Sequence, residues 1–224
     1  MLNELGDGVW WYECKGVNAF LVADDDGLTL VDAGTPFDAA RVEAAVEAAG
    51  FDRADVARIL LTHYDLDHVG AMATLAVDAP VYVGAADADY LTGARRPGIS
   101  GLKPALQTAL GVLIPDVPPD RVRRVEDGED IGGFSAYHTP GHTPGHTAYV
   151  HGGRDVGLLG DLVVERDGSL HASPWYLSYD AARVAENVVS LADRAPAFEA
   201  LGMGHGTPFE ADGPDKLAAL AATL

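Results

Sequence analysis

The run Thr62-His63-Tyr64-Asp65-Leu66-Asp67-His68 places two imidazoles and two carboxylates within six residues. It follows an apolar strand-like segment and leads into a helix-like one. In extended chain, positions 63, 65 and 67 point the same way, and the turn into a helix then swings Asp67 and His68 round together. Neutral imidazole and carboxylate are the ligands expected for zinc and other first-row divalent ions. Three further signals follow. In Thr139-Pro140-Gly141-His142-Thr143, proline and glycine fix a tight loop that holds one imidazole. In Leu159-Gly160-Asp161, the Asp161 carboxylate ends a buried strand. His205 sits in Gly202-Met203-Gly204-His205-Gly206, whose glycines let backbone come close to a bound centre. Each motif alone reads as an ordinary turn or cap; four in this order, each at a strand end, point to a metal centre.

The elements that must position them alternate. Val9–Lys15 and Val17–Ala23 read as a hairpin, and Leu28–Asp32 as a buried strand ending at Asp-Ala-Gly. A helix is expected from Pro36 to about Ala49, stopped by Gly50. Val56–Leu61 is a strand, Leu66–Leu75 a helix, and Pro80–Gly84 a strand. Residues 85–120 hold a short helix over 85–91 and then a Gly- and Pro-rich stretch. That stretch reads as an insertion over a site. Strands are expected at 121–125, 134–138, 147–151, 156–159 and 200–203, with helices at 181–195 and 214–224. This patterning predicts an α/β fold in which two similar layers pack face to face, over a single domain spanning 1–224.

The ordered motifs resemble the metallo-β-lactamase-fold superfamily, and within it the compact hydrolases related to glyoxalase II and the lactonases. The resemblance runs from the hairpin at Val9 to Gly206. It rests on Asp32 in Leu-Val-Asp-Ala-Gly, the histidine–aspartate frame at 63–68, His142, Asp161 and His205. It implies a four-layer αββα sandwich, two mixed β-sheets flanked by helices. It also implies a binuclear site: His63, position 65 and His142 on one ion, Asp67, His68 and His205 on the other, and Asp161 bridging. Asp32 would anchor the ligand loop. The common motif is His-Xaa-His-Xaa-Asp-His, and here Asp65 replaces the middle histidine. A carboxylate still ligates, but it makes the first site harder, which moves preference from zinc towards iron or manganese.

The resemblance thus implies two divalent ions, with zinc the first expectation, about 3.5–4 Å apart and lowering the pKa of a shared water to about 7. The resulting hydroxide would attack a small ester, thioester or lactone, with Asp67 as the catalytic carboxylate orienting it. An iron-dependent oxygenase or redox protein, for which Asp65 is the reason, and a non-catalytic metal-binding protein are the alternatives. Tyr90, Trp175, Tyr176 and Tyr179 are candidate wall residues, and His171 a candidate at the mouth. His146 reads as a supporting residue beside the ligands, and Cys14 as a small apolar filler.

Composition excludes other classes. Lys plus Arg number 15 against 34 Asp plus Glu, a net charge of −19. Such a surface repels phosphate backbones and anionic lipid, so no nucleic-acid or membrane partner is expected. No apolar run is long enough to span a bilayer. One cysteine excludes a thiolate-rich site and an internal disulfide. The N-terminal residues show no secretory pattern, and a cytoplasmic location with a small-molecule substrate is expected; a homodimer is allowed for. Lysines number three and aspartate outnumbers glutamate 24 to 10, which suits a protein kept soluble in concentrated salt.

Overall fold

Adjacent residues of single strands go to different layers, and that alternation builds the molecule. The computed structural model describes residues 1–114 and 116–224; Pro115 of the expected insertion lies outside them. Seven strands form the first sheet in chain order: β1 (Leu2–Gly6), β2 (Val9–Cys14), β3 (Val17–Asp24), β4 (Gly27–Val31), β5 (Val56–Leu61), β6 (Val81–Gly84) and β7 (Val122–Val125). The strands up to β4 pair antiparallel, and β4 to β7 pair parallel. The second sheet has the order β14-β11-β10-β9-β8. Its strands are β8 (Asp130–Ile131), β9 (Phe134–His138), β10 (Thr147–His151), β11 (Val156–Leu158) and β14 (Ala200–Gly202). Only β11 and β14 run parallel in it.

Leu28, Leu30, Ile59 and Leu61 pack outward against the helix α1 (Ala39–Ala48), through Val42 and Val46. Their chain neighbours Val31 and Leu60 point inward, where they meet Phe134, Tyr149 and Leu158 of the second sheet. On its far side, Val150 and Leu201 pack against Val184, Val188 and Leu191 of α5 (Ala181–Arg194) and Leu217 of α6 (Gly213–Ala221). Each such buried side chain contributes about 1.5–3 kcal/mol. The layers are thus helix, sheet, sheet, helix, the expected sandwich of two mixed sheets.

Several element bounds differ from expectation for local reasons. Helix α1 starts at Ala39, because the Asp38 carboxylate turns back to accept from the Thr35 N–H at 3.0 Å. Helix α2 is one turn, Leu66–Val69, and continues as a 3-10 turn over Gly70–Ala73. Residues 163–172 form a hairpin, β12 (Val163–Arg166) and β13 (Ser169–Ala172), in a stretch for which no strand was expected. Its turn is Asp167-Gly168, both at positive φ (52° and 77°), the signature of a two-residue hairpin turn. Within 85–120, α3 (Ala85–Leu91) is followed by a second helix, α4 (Leu102–Leu110), which the glycines and prolines around it had hidden.

Candidate metal centre

The expected ligands collect at one rim of the sandwich. Asp32 follows β4, His63 and Asp65 follow β5, and Asp67 and His68 lie on α2. His142 comes from the β9–β10 loop, Asp161 from the turn after β11, and His205 from the loop after β14. The parallel pairings β4–β5 and β11–β14 explain the convergence: parallel strands end on the same side. At Gly204 a Cβ would lie 2.8 Å from His68 Cε1, so only glycine lets the His205 loop pass this close.

Each of the four imidazoles is tied by Nδ1, which turns Nε2 into the site. His68 donates to Asp32 Oδ2 at 2.8 Å, and His205 to the Gly16 carbonyl at 2.7 Å. His142 pairs with Ser173 Oγ at 2.9 Å, and His63 with Thr62 Oγ1 at 3.0 Å. Thr62 Oγ1 in turn donates to Asp32 Oδ2 at 2.7 Å, and the Thr62 N–H to Asp32 Oδ1 at 2.8 Å. Asp32 therefore orients both histidines of the 63–68 run, as a metal-binding imidazole needs.

Two donor groups result, each with ligand atoms within 4.8 Å of one another: His63, His142 and Asp161, and Asp67, His68 and His205. Asp161 lies between them. Its Oδ1 is 3.4 Å from His68 Nε2, and its Oδ2 is 3.3 Å from His205 Nε2 and 3.5 Å from His142 Nε2. Asp67 Oδ2 is 3.5 Å from His205 Nε2. A tetrahedral ion with bonds of about 2.0–2.2 Å sets its ligand atoms about 3.3–3.6 Å apart. Among the described residues, buried His63 Nε2, His68 Nε2 and Asp161 Oδ1 have no hydrogen-bond partner. Buried polar atoms without partners are costly, and His68 Nε2 and Asp161 Oδ1 face each other at 3.4 Å beside the second group, while His63 Nε2 belongs to the first. The second group fits a divalent ion.

The first group is differently occupied. Asp65 Oδ2 is 3.2 Å from His63 Nε2 and 3.1 Å from His142 Nε2, a ligand-like spacing. However, the buried Lys103 of α4 ion-pairs with that same oxygen and lies 3.1 Å from His142 Nε2. One turn on, Gln107 donates from Nε2 to Asp65 Oδ1 at 2.9 Å and also to the Tyr64 carbonyl. Gln107 is itself fixed by Tyr179, whose hydroxyl donates to Oε1 at 2.5 Å. Both oxygens of Asp65 are thus engaged by α4.

The charges follow this layout. Burial alone would raise the pKa of Asp65, but Lys103 and the two histidines hold it well below the usual carboxylate range. Asp161 is likewise held low against its burial by His205 and His68. For Asp67, His205 and His68 also outweigh burial and lower its pKa. Burial and the nearby Lys103 push His142 down to about 4, so it presents a neutral Nε2 lone pair. Asp161 is the main cause lifting His205 to about 10.

The sequence did not single out Lys103, Gln107, Ser173 or Asp87. Lys103 and Gln107 are four apart on a segment where Leu102, Leu106 and Leu110 also repeat every four residues, a helical signal that was available. Asp87 is a buried clamp. It accepts from the Tyr64 N–H at 2.9 Å, Thr143 Oγ1 at 2.6 Å and the Gly145 N–H at 2.8 Å, joining the two ligand loops. Burial pushes its pKa up despite those donors. His146 bonds Thr139 Oγ1 at 2.8 Å and stacks near His63, beside the donor groups. Cys14 is buried, and burial first of all raises its thiol to about 12, so it is inert. Trp175 and Tyr176 are 74% and 41% exposed, His171 is also exposed on β13, and Tyr90 packs on Tyr64. The wall instead comes from α4 and its neighbours. A cavity of about 280 Å³ opens over the ligands, with Leu66, Leu106, Leu110, Ile114 and Leu177 on its apolar side.

The family model for the metallo-beta-lactamase superfamily matches residues 12–192. The chain belongs to that superfamily. Among relatives of this superfamily member, the probable metallo-hydrolase YflN of Bacillus subtilis (strain 168) is 28% identical, over 92% of this chain and 90% of its own. The solved structure of TTHA1623 in a di-iron-bound form is 30% identical, covers 93% of this chain and 95% of that one, and superposes with a TM-score of 0.68. The Rm3 metallo-beta-lactamase, 23% identical with a TM-score of 0.73 over 100% of this chain and 91% of that one, shares the fold. No helix among the described residues is long and apolar enough to cross a membrane.

Proposed function

We propose that this superfamily member is a metal-dependent hydrolase of small esters, thioesters or lactones. The observation that carries the reading is the set of buried, partnerless ligand atoms, His68 Nε2 and Asp161 Oδ1 foremost, beneath a largely apolar cavity. Asp67, His68, Asp161 and His205 would hold the ion, zinc by its nitrogen and oxygen donors, with iron or manganese as the alternatives. When bound, the ion supplies Lewis acidity and brings the pKa of water towards neutrality.

The chain's own residues supply the rest. Leu66, Leu106, Leu110, Ile114 and Leu177 hold the apolar part of a substrate and exclude bulk water from the reacting carbonyl. Asp67, half-buried at the cavity floor, orients the nucleophile and carries its proton. Asp32 keeps His68 in the tautomer that faces the site. The test is a panel of acyl esters, thioesters and lactones, assayed with wild-type protein and His205→Ala. Hydrolysis by the wild type that is lost in His205→Ala is expected; no turnover on any member of the panel overturns the reading.

A second reading, oxygen-dependent iron chemistry, is favoured by the carboxylate at position 65 and by the di-iron-bound neighbour. It predicts iron in the purified protein and oxygen consumption with a thiol. The acidic surface is proposed as an adaptation to concentrated salt, and loss of folded signal on dialysis into low salt is the expected result.

A further inference from the structure

The superfamily resemblance expects an ion in each donor group, yet the chain already places a cation in the first. Lys103 is buried and reaches the first group from α4. Its Nζ touches Asp65 Oδ2 and lies 3.1 Å from His142 Nε2. Those are two of the atoms that a first ion would have to bind. An ammonium can only donate, so His142 Nε2 turns its lone pair to Lys103 and Nδ1 carries the proton towards Ser173. An ammonium and a divalent ion cannot share that space: both need the same lone pairs, and two cations at contact repel strongly in a buried site. Asp65 is the one departure from the common ligand motif, and it is also the only carboxylate paired with Lys103 among the described residues. A histidine at this position would give Lys103 no counter-charge.

We propose that the Lys103 ammonium stands in the first metal position, so that the chain holds one divalent ion, in the Asp67, His68, His205 and Asp161 group. An ammonium has three N–H donors. Asp65 and His142 take two, and Lys103 lines the cavity, so the third is left for a substrate oxygen. In this arrangement Lys103 binds the carbonyl or carboxylate oxygen of the substrate beside the ion. Gln107, which holds the other oxygen of Asp65, is a positioning residue for that pair.

The inference rests on the metal-dependent reading above, but its test counts ions and does not need a substrate. Wild-type chain is loaded with excess zinc, desalted, and measured by elemental analysis and native mass spectrometry, alongside His63→Ala, His205→Ala and Lys103→Ala. One ion per wild-type chain is expected. It should be retained in His63→Ala and lost in His205→Ala. Lys103→Ala, with folding checked by circular dichroism, should take up a second. Two ions in the wild type overturn the inference while leaving the hydrolase reading intact, and no ion overturns both. An ion that follows His63 and not His205 also overturns it, without recourse to the lysine variant. A folded Lys103→Ala that stays at one ion does so as well.

Discussion

The two donor groups share Asp161 and the same sheet rim, yet they are finished by different chemistry. In the second group, the distal nitrogens of His68 and His205 bond a carboxylate and a backbone carbonyl, at 2.8 and 2.7 Å. In the first, those of His63 and His142 bond hydroxyls, at 3.0 and 2.9 Å. A carboxylate raises the basicity of the imidazole it holds more than a hydroxyl does. The second group also contains Asp67, which among the described residues pairs with no lysine or arginine, whereas α4 covers Asp65 with Lys103 and Gln107. Ligand residue types alone therefore do not define a metal site. The groups behind the ligands, and any cation already among them, decide which half is left for an ion.

Five experiments sharpen or break this comparison. The largest effect is expected at the shared carboxylate: Asp161→Ala should leave no retained ion and no hydrolysis, by elemental analysis and turnover. If ion and activity survive, Asp161 does not join the two halves. Next, Asp32→Ala should weaken ion binding by about 10–100-fold, measured by competition with a chromophoric chelator. Asp87→Ala leaves three buried donors without an acceptor. About 3 kcal/mol of stability should be lost, a fall in Tm of about 6–12 °C, because the clamp between the ligand loops is gone. Removing the ion with chelator should cost about 2.7 kcal/mol relative to protein in metal at one hundred times Kd. His205→Ala should abolish that metal-dependent gain in Tm. Ser173→Ala should be the mildest, changing the affinity of the retained ion less than about tenfold, below the usual effect of losing a ligand's anchor. A loss as large as that of Asp32→Ala would mean that the first group holds an ion.

Some of this was legible in the chain and some was not, for reasons that particular residues make clear. The layers were expected from the alternation of strand and helix signals, and the structure builds them by period-two burial: Leu60 and Leu61 are neighbours that enter different cores, and apolar runs such as Val56–Leu61 mark strands covered on both faces. The hairpin at 163–172 has its turn signal in Asp167-Gly168 but was not among the expected strands, because each of its strands is only four residues long. The ligand loops were legible because His63, Asp65, Asp67 and His68 lie in one short run and the remaining ligands sit at strand ends.

By itself, then, the sequence carried the alternation of strands and helices and the four short runs of candidate donors, which rest on local pattern, while the four-layer sandwich was implied by the resemblance those runs carry. Only the tertiary structure set Lys103 and Gln107 against one donor group and not the other. Lys103 meets Asp65 across 38 residues of chain and His142 across 39. Asp87 reaches Gly145 across 58. No spacing rule encodes such contacts, since they arise only when α3 and α4 fold against the rim. Burial then makes an ion pair there obligatory, because a lysine without a counter-charge would be too costly to keep.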